Sequence, residues 1–366
     1  MRPVAFALFL ALAAASAAAA GLTGTKIGGL DYVRLDEGAA AMGLKMERVS
    51  PQSILLKDGS QPVARLVDHS REIDLKGLRV FLGDPVVEKS GNFFLSRLDF
   101  EFRLVPRLRP SLSGPPPNVP RIIAIDPGHG GTDDGSGNRA LGTTEKANTL
   151  DVSLRLRKLL VAAGYTVVLT RDSDVDLSKP LRSEIANLAK ADLFVSVHFN
   201  SLFPNTKTTG AEVMCFPPRT QRSADSWSPG KKDDAQSQDA PINAFNAWNS
   251  VLAGALHRRI LEAMQDGDRG EKFEHLGVLR GLKCPGVLVE PAIISSDKEG
   301  ALLQSPEFRE KIAESVFEGI QDYAVQVRAL HPAEITPQAP AAAPAGPTSG
   351  APATAPRFQP KRPTGP

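Results

Sequence analysis

The 366-residue chain carries 43 Lys and Arg against 41 Asp and Glu, a formal net charge of +2, with 42% hydrophobic residues. That length and composition suit a globular protein of two domains plus linkers. A charge balance so close to neutral argues against nucleic acid as a partner, because binding a polyanion leans on a concentrated basic surface.

In chain order, Met1-Arg2, the apolar stretch Val4 to Ala15 and the small residues Ala18-Ala19-Ala20 have the three regions of a secretory signal. Residues 1–20 are therefore expected to be a leader removed near Ala20. The alternative is a retained membrane anchor, since the apolar stretch approaches the roughly 18 residues that a span requires. No other segment is apolar enough to cross a bilayer, so the mature form is expected to be free of the membrane, in the periplasm or outside the cell.

Residues 27–106 mix strand patterns, Ser53 to Leu56 and Leu78 to Leu82, with a helical pattern at Leu35 to Met42, and read as a small α+β domain. Residues 107–120 hold Pro110, Pro115, Pro116, Pro117 and Pro120, the composition of a stiff extended linker, which places a domain boundary there. Residues 331–366 are Pro- and Ala-rich, with too little bulky apolar surface to offset ordering entropy, and are expected to be disordered. In an oxidising compartment Cys215 and Cys284 could form one disulfide or remain two buried thiols.

From Arg121 to residue 328 strand and helix patterns alternate. Strands are expected at Ile122 to Ile125, Val167 to Leu169, Leu193 to Val197, Gly210 to Phe216 and Val287 to Val289. Helices are expected at Glu145 to Ala163, Leu181 to Ala191, Phe245 to Met264 and Pro306 to Val327. Such alternation predicts an α/β fold, a mostly parallel twisted sheet with helices on both faces.

Two of these strands end in histidine. Ile122 to Ile125 runs into Asp126-Pro127-Gly128-His129-Gly130-Gly131, and Leu193 to Val197 into His198-Phe199-Asn200. Open α/β sheets keep their chemistry at the carboxyl ends of strands, so two imidazoles at one edge suggest a metal site. Either histidine alone reads more readily as a hydrogen-bonded structural residue than as a ligand; two at equivalent places turn the reading towards metal. Hydrolytic zinc sites take three protein ligands and leave a fourth position open. Glu145, which opens the helix after the His129 loop, is the candidate third ligand, although an acidic residue in a first helical turn also simply complements the helix dipole. Two imidazoles and one carboxylate suit Zn2+ best.

Glu290 follows the apolar run Gly286 to Val289 and is the candidate proton carrier; its alternative role is an ion pair with Arg280 or Arg171. The Gly-rich turn also invites a nucleotide-binding reading. It lacks G-x-G-x-x-G spacing and the Lys-Ser/Thr of a P-loop, and no helix follows at once.

Together, Asp126-Pro127-Gly128-His129-Gly130-Gly131, Glu145-Lys146, Leu169-Thr170-Arg171, Ser196-Val197-His198-Phe199-Asn200, Asp268-Arg269-Gly270, Val278-Leu279-Arg280 and Val287-Leu288-Val289-Glu290 resemble the zinc-dependent N-acetylmuramoyl-L-alanine amidases, the amidase_3 family. The resemblance implies that His129, Glu145 and His198 hold zinc and that Glu290 is the catalytic acid/base. It further implies peptidoglycan as partner and cleavage of the amide between N-acetylmuramic acid and L-alanine. Within 27–106, Tyr32 to Leu35, Ala41 to Leu44 and Gly83 to Val87 resemble the N-terminal domain family named after copper amine oxidases, which is often attached to exported wall enzymes.

Asp133-Asp134-Gly135-Ser136-Gly137 and Pro291 to Ser296 depart from the amidase pattern without removing a ligand, and bear on stem-peptide and glycan preference. The polar stretch between Pro217 and Asn243 exceeds ordinary loop lengths, and reads either as a disordered insertion or as a lid that a protein activator displaces. A monomer is expected. Two rivals share most of these features: a wall-binding protein that keeps the fold without catalysis, and a zinc peptidase cutting elsewhere in the stem peptide.

Overall fold

The computed structural model describes residues 21–228 and 232–331; residues 1–20, expected to be a leader, and 332–366, within the expected disordered tail, lie outside the described residues. Its centre is a sheet of eleven strands. At one end, Ile122–Pro127 is flanked in parallel by Thr166–Leu169 and Leu193–Val197, and Leu193–Val197 in turn pairs in parallel with Gly286–Glu290. Ala211–Cys215 then joins Gly286–Glu290 antiparallel, and Asp268–Phe273 joins Ala211–Cys215 in parallel. Ile122–Pro127, Leu193–Val197 and Gly286–Glu290 read as nearly unbroken apolar runs because both faces of the sheet are covered.

Helices Glu145–Ala162, Asn246–Met264 and Pro306–Arg328 pack one face, burying Val152, Leu156, Leu252, Leu256, Ile312 and Ile320. Lys179–Leu188 and the short Gly277–Arg280 cover the other, with Ala186, Phe194 and Leu279 between. The expected helices and strands are all present with ends shifted by a few residues. The strand Asp268–Phe273 has no such apolar pattern to announce it, being interrupted by charge at Asp268, Arg269, Glu271 and Lys272.

The N-terminal residues form antiparallel strands, the helix Leu35–Ala41 and a helical stretch over residues 97–108. The five strands between Lys45 and Phe81 do not stand apart from the rest. Leu78–Phe81 pairs in parallel with Asp268–Phe273, Val80 opposite Glu271, so one sheet runs through both parts of the chain. The boundary expected at 107–120 is also less open than its prolines imply: Val105–Leu108 is helical, and Trp248 Nε1 donates to Pro115 O at 3.0 Å. Buried cations fasten the junction, with Arg107 paired to Glu271 and the Arg103 guanidinium 3.5 Å from the Phe273 ring centroid. The two cysteines, Cys215 and Cys284, are free and buried.

Candidate metal centre and its cleft

Parallel register brings the two histidine-bearing strand ends together. Ile123 lies opposite Leu193 and Asp126 opposite Ser196, so His129 and His198 leave neighbouring strands at the same edge. Gly128 N donates to Val197 O at 3.0 Å, and His198 N to Val289 O at 3.0 Å, which ties both turns to the sheet.

His129 sits at φ +59°, followed by Gly130 at +131° and Gly131 at +60°. A left-handed histidine is disfavoured by about 1–2 kcal/mol, and the surroundings over-determine it. Arg171 donates to Pro127 O and Gly128 O, while Arg182 donates to Pro127 O, His129 O and the buried carboxylate of Asp126. Gly128 is required by close approach, since a Cβ there would lie 2.4 Å from His198 Cε1.

The third candidate arrives from the helix that packs beneath. Glu145 N donates to Ser136 O at 2.7 Å, placing the first turn of Glu145–Ala162 beside the strand ends. The Glu145 side chain, in a residue 3% exposed, has Oε1 3.1 Å from His129 Nε2 and 2.9 Å from His198 Nδ1. Ser136 N donates to its Oε2 and Phe199 N to its Oε1. Burial raises a carboxyl pKa, but the bonds to His129 and His198 outweigh it and hold Glu145 well below the usual range. Burial lowers that of His129, and Glu145 and Asp133 more than reverse it.

One donor atom from each of His129, Glu145 and His198 falls within 4.8 Å of the others, so the group can hold a metal ion. His129 Nδ1 donates to Asp133 Oδ2 at 2.9 Å, leaving Nε2 to face Glu145. Such an outer carboxylate fixes the tautomer and ring direction of a ligating histidine. Two imidazoles and one carboxylate, with the remaining side open to a cleft, match the donor set of a three-ligand zinc site.

That cleft has a volume of about 450 Å³ and is lined by the three donors, Asn200, Lys179, Met214 and Glu290, among others. Glu290 ends its strand there. Its Oε2 is buried without a hydrogen-bond partner, and burial first, then the charges of Glu145 and Glu212, push its pKa well above the usual carboxylate range. Neither cation weighed as its ion-pair partner touches it: Arg171 braces backbone carbonyls, and Arg280 bonds Gln236. None of the described residues between Pro217 and Asn243 lines the cleft. Instead Trp227 lies between Arg222 and Arg71, at 3.6 and 4.4 Å from its ring centroid, and Gln221 is buried beside Gly83.

Asp133, Asn200 and Glu212 are not singled out as site residues by the sequence. Only Glu212 leaves a signal there, a charge in the middle of the buried run Ala211–Cys215.

Sheet and site together define an α/β protein with a candidate metal centre at the carboxyl edge of its sheet. The chain belongs to the family described as N-acetylmuramoyl-L-alanine amidase, Amidase_3, which matches residues 123–322. It is 30% identical over 247 residues to an uncharacterized cell wall amidase of Bacillus anthracis, covering 65% of this chain and 42% of that one. To N-acetylmuramoyl-L-alanine amidase AmiA of Escherichia coli it is 30% identical over 221 residues, 56% of this chain and 76% of that one. The structure of N-acetylmuramoyl-L-alanine amidase AmiC2 of Nostoc punctiforme aligns with 56% of this chain and 97% of its own, at 29% identity and a TM-score of 0.46. The matched region thus spans under half of the Bacillus anthracis relative and about three quarters of the Escherichia coli one.

Proposed function

We propose that the protein is an exported zinc-dependent N-acetylmuramoyl-L-alanine amidase that hydrolyses the amide between N-acetylmuramic acid and the L-alanine of the peptidoglycan stem. Family membership supports the reaction class. The observation that carries the reading is the convergence of His129, Glu145 and His198 in a cleft that also receives the unpartnered carboxyl of Glu290.

In this reading His129 Nε2, His198 Nδ1 and a Glu145 oxygen hold zinc, with Asp133 orienting His129. The chemistry a zinc ion supplies in such a site is a water acidified to near neutral pH and polarisation of a carbonyl oxygen. Glu290 takes the proton from the attacking water and delivers it to the departing nitrogen. Burial and the neighbouring carboxylates raise its pKa, which makes it a stronger proton acceptor than an ordinary carboxylate.

The test is mass analysis of purified peptidoglycan after incubation with the mature protein, with and without chelator. Stem peptides with a free L-alanine amine, absent when chelator is present, are expected. A new amine elsewhere in the stem would mark a peptidase, and wall binding without any new terminus would mark an inactive binder.

A further inference from the structure

Beside Glu290 lies a polar cluster that the reaction as written does not use. In the antiparallel pairing of Ala211–Cys215 with Gly286–Glu290, Glu212 stands opposite Glu290. Glu212 is 1% exposed. Its Oε2 accepts from Lys272 Nζ and lies 3.6 Å from Arg269 Nε, while its Oε1 accepts from Asn200 Nδ2.

A carboxylate placed between two cations is an acceptor only. Asn200 must therefore turn its NH2 towards Glu212, and its carbonyl oxygen Oδ1 is the atom left over. The Asn200 backbone is fixed as well, because its carbonyl accepts from Ile294 N at 2.8 Å. Asn200 lines the cleft, and its Oδ1 is neither bonded nor among the buried atoms without a partner. The cleft thus meets an acceptor of fixed direction on the Glu290 side of the site.

We propose that Asn200 Oδ1, oriented by Glu212, accepts the N–H of the scissile amide and so presents the departing nitrogen to Glu290. The inference rests on the amidase reading. In the reaction a water oxygen bonds to the carbonyl carbon, the C–N bond breaks, and the proton taken from water by Glu290 passes to nitrogen, giving an amine and a carboxylic acid, whose remaining proton then passes to the amine to leave a carboxylate and an ammonium group. As the C–N bond weakens the nitrogen becomes pyramidal, and its lone pair must face the proton donor. An acceptor on the N–H fixes that orientation. Asn200 is then a substrate-contacting residue and Glu212 a positioning residue.

The experiment compares wild type, Asn200→Ala and Glu212→Gln, all zinc-loaded, on a muramyl dipeptide and on its depsipeptide analogue with an ester oxygen in place of the scissile N–H. In Glu212→Gln the introduced amide can offer its own NH2 to Asn200 Oδ1 and so turn the asparagine over. Both variants are expected to lose about 10- to 100-fold in kcat/KM on the amide, the worth of one hydrogen bond to a reacting group, with zinc stoichiometry kept and, in Asn200→Ala, ester turnover kept within about threefold. The metal-free wild type should also bind the amide more tightly than the ester by calorimetry, a preference absent in Asn200→Ala. In Asn200→Ala, equal losses on amide and ester, or no loss on the amide, would overturn the proposal and leave the amidase reading standing. A wild type that leaves the amide intact would instead remove the amidase reading, and this inference with it.

Discussion

Asp133 Oδ2 lies 2.9 Å from His129 Nδ1 and so decides which nitrogen of that ring faces Glu145. The bond is local, between residues four apart, and spans a turn in which His129 itself is left-handed. It joins the backbone geometry of the Gly-rich turn to the chemistry of the site. Asp133→Asn should keep the fold but weaken zinc binding by about 10- to 100-fold, the usual cost of removing an outer partner of a metal ligand. Competition against a chelator of known affinity measures it; unchanged affinity would reduce Asp133 to a surface residue. His198→Ala should go further and release metal and activity together.

Glu290→Gln separates binding from chemistry. The side chain keeps its size and gives no metal ligand away, so zinc content should remain at the wild-type level. Turnover should fall by at least about 10²- to 10⁴-fold, the usual contribution of a positioned acid/base. Metal analysis beside a peptidoglycan release assay reads both, and full activity would remove Glu290 from the mechanism.

How much of this is legible in the sequence depends on the range of the signal. The strands before His129 and His198 are local apolar runs, and the histidines follow them directly, so both fold position and chemistry can be read from a few residues. Glu145 becomes readable only through the histidines, because a first-turn glutamate is ordinary. Asp133 is hidden in a turn already rich in Asp and Gly. Glu212 meets Asn200 through a side-chain bond and Glu290 through a pairing of strands distant in sequence, which no local period reveals. The pairing of Leu78–Phe81 with Asp268–Phe273 is obscured in the same way. Prolines between residues 110 and 120 signal an extended chain, but not whether the elements on either side meet.

Gly128→Ala tests the closeness of the two turns. The added methyl would stand 2.4 Å from Cε1 and 2.5 Å from Nε2 of His198. The imidazole must then swing away from Glu145, since the backbone of the turn is held by Arg171 and Arg182. Zinc affinity should drop by an order of magnitude or more with little change in melting temperature of the metal-free protein. Wild-type affinity would show that the turn relaxes freely.

The stretch between Pro217 and Asn243 makes a different prediction from that of a lid. Trp227 is clasped by two guanidinium groups, each contact of that kind contributing about 0.5–2 kcal/mol. Removing Ser223 to Ala240 should therefore lower the melting temperature without raising amidase turnover. A gain in turnover would show that the segment obstructs substrate after all.

Where that stretch packs against the end of Asp268–Phe273, Glu274 supplies a pH test with a definite sign. Its Oε1 accepts from Asp225 N at 3.1 Å, and the residue is buried. Burial first, then the nearby Asp225 carboxylate, raise its pKa from 4.5 to about 7. A raised carboxyl means that the folded state keeps its proton where the unfolded chain has lost it. The stability it contributes is therefore full below the unfolded value near 4.5 and is lost as pH rises towards 7. The shift corresponds to about 3 kcal/mol. Glu274→Gln stays neutral at every pH and can still accept from Asp225 N through its amide oxygen. The variant should melt higher than wild type at pH 8 and match it at pH 4, measured by calorimetry on the metal-free protein so that zinc loss in acid does not intrude. An equal offset at both pH values would show that folding leaves the Glu274 pKa unshifted.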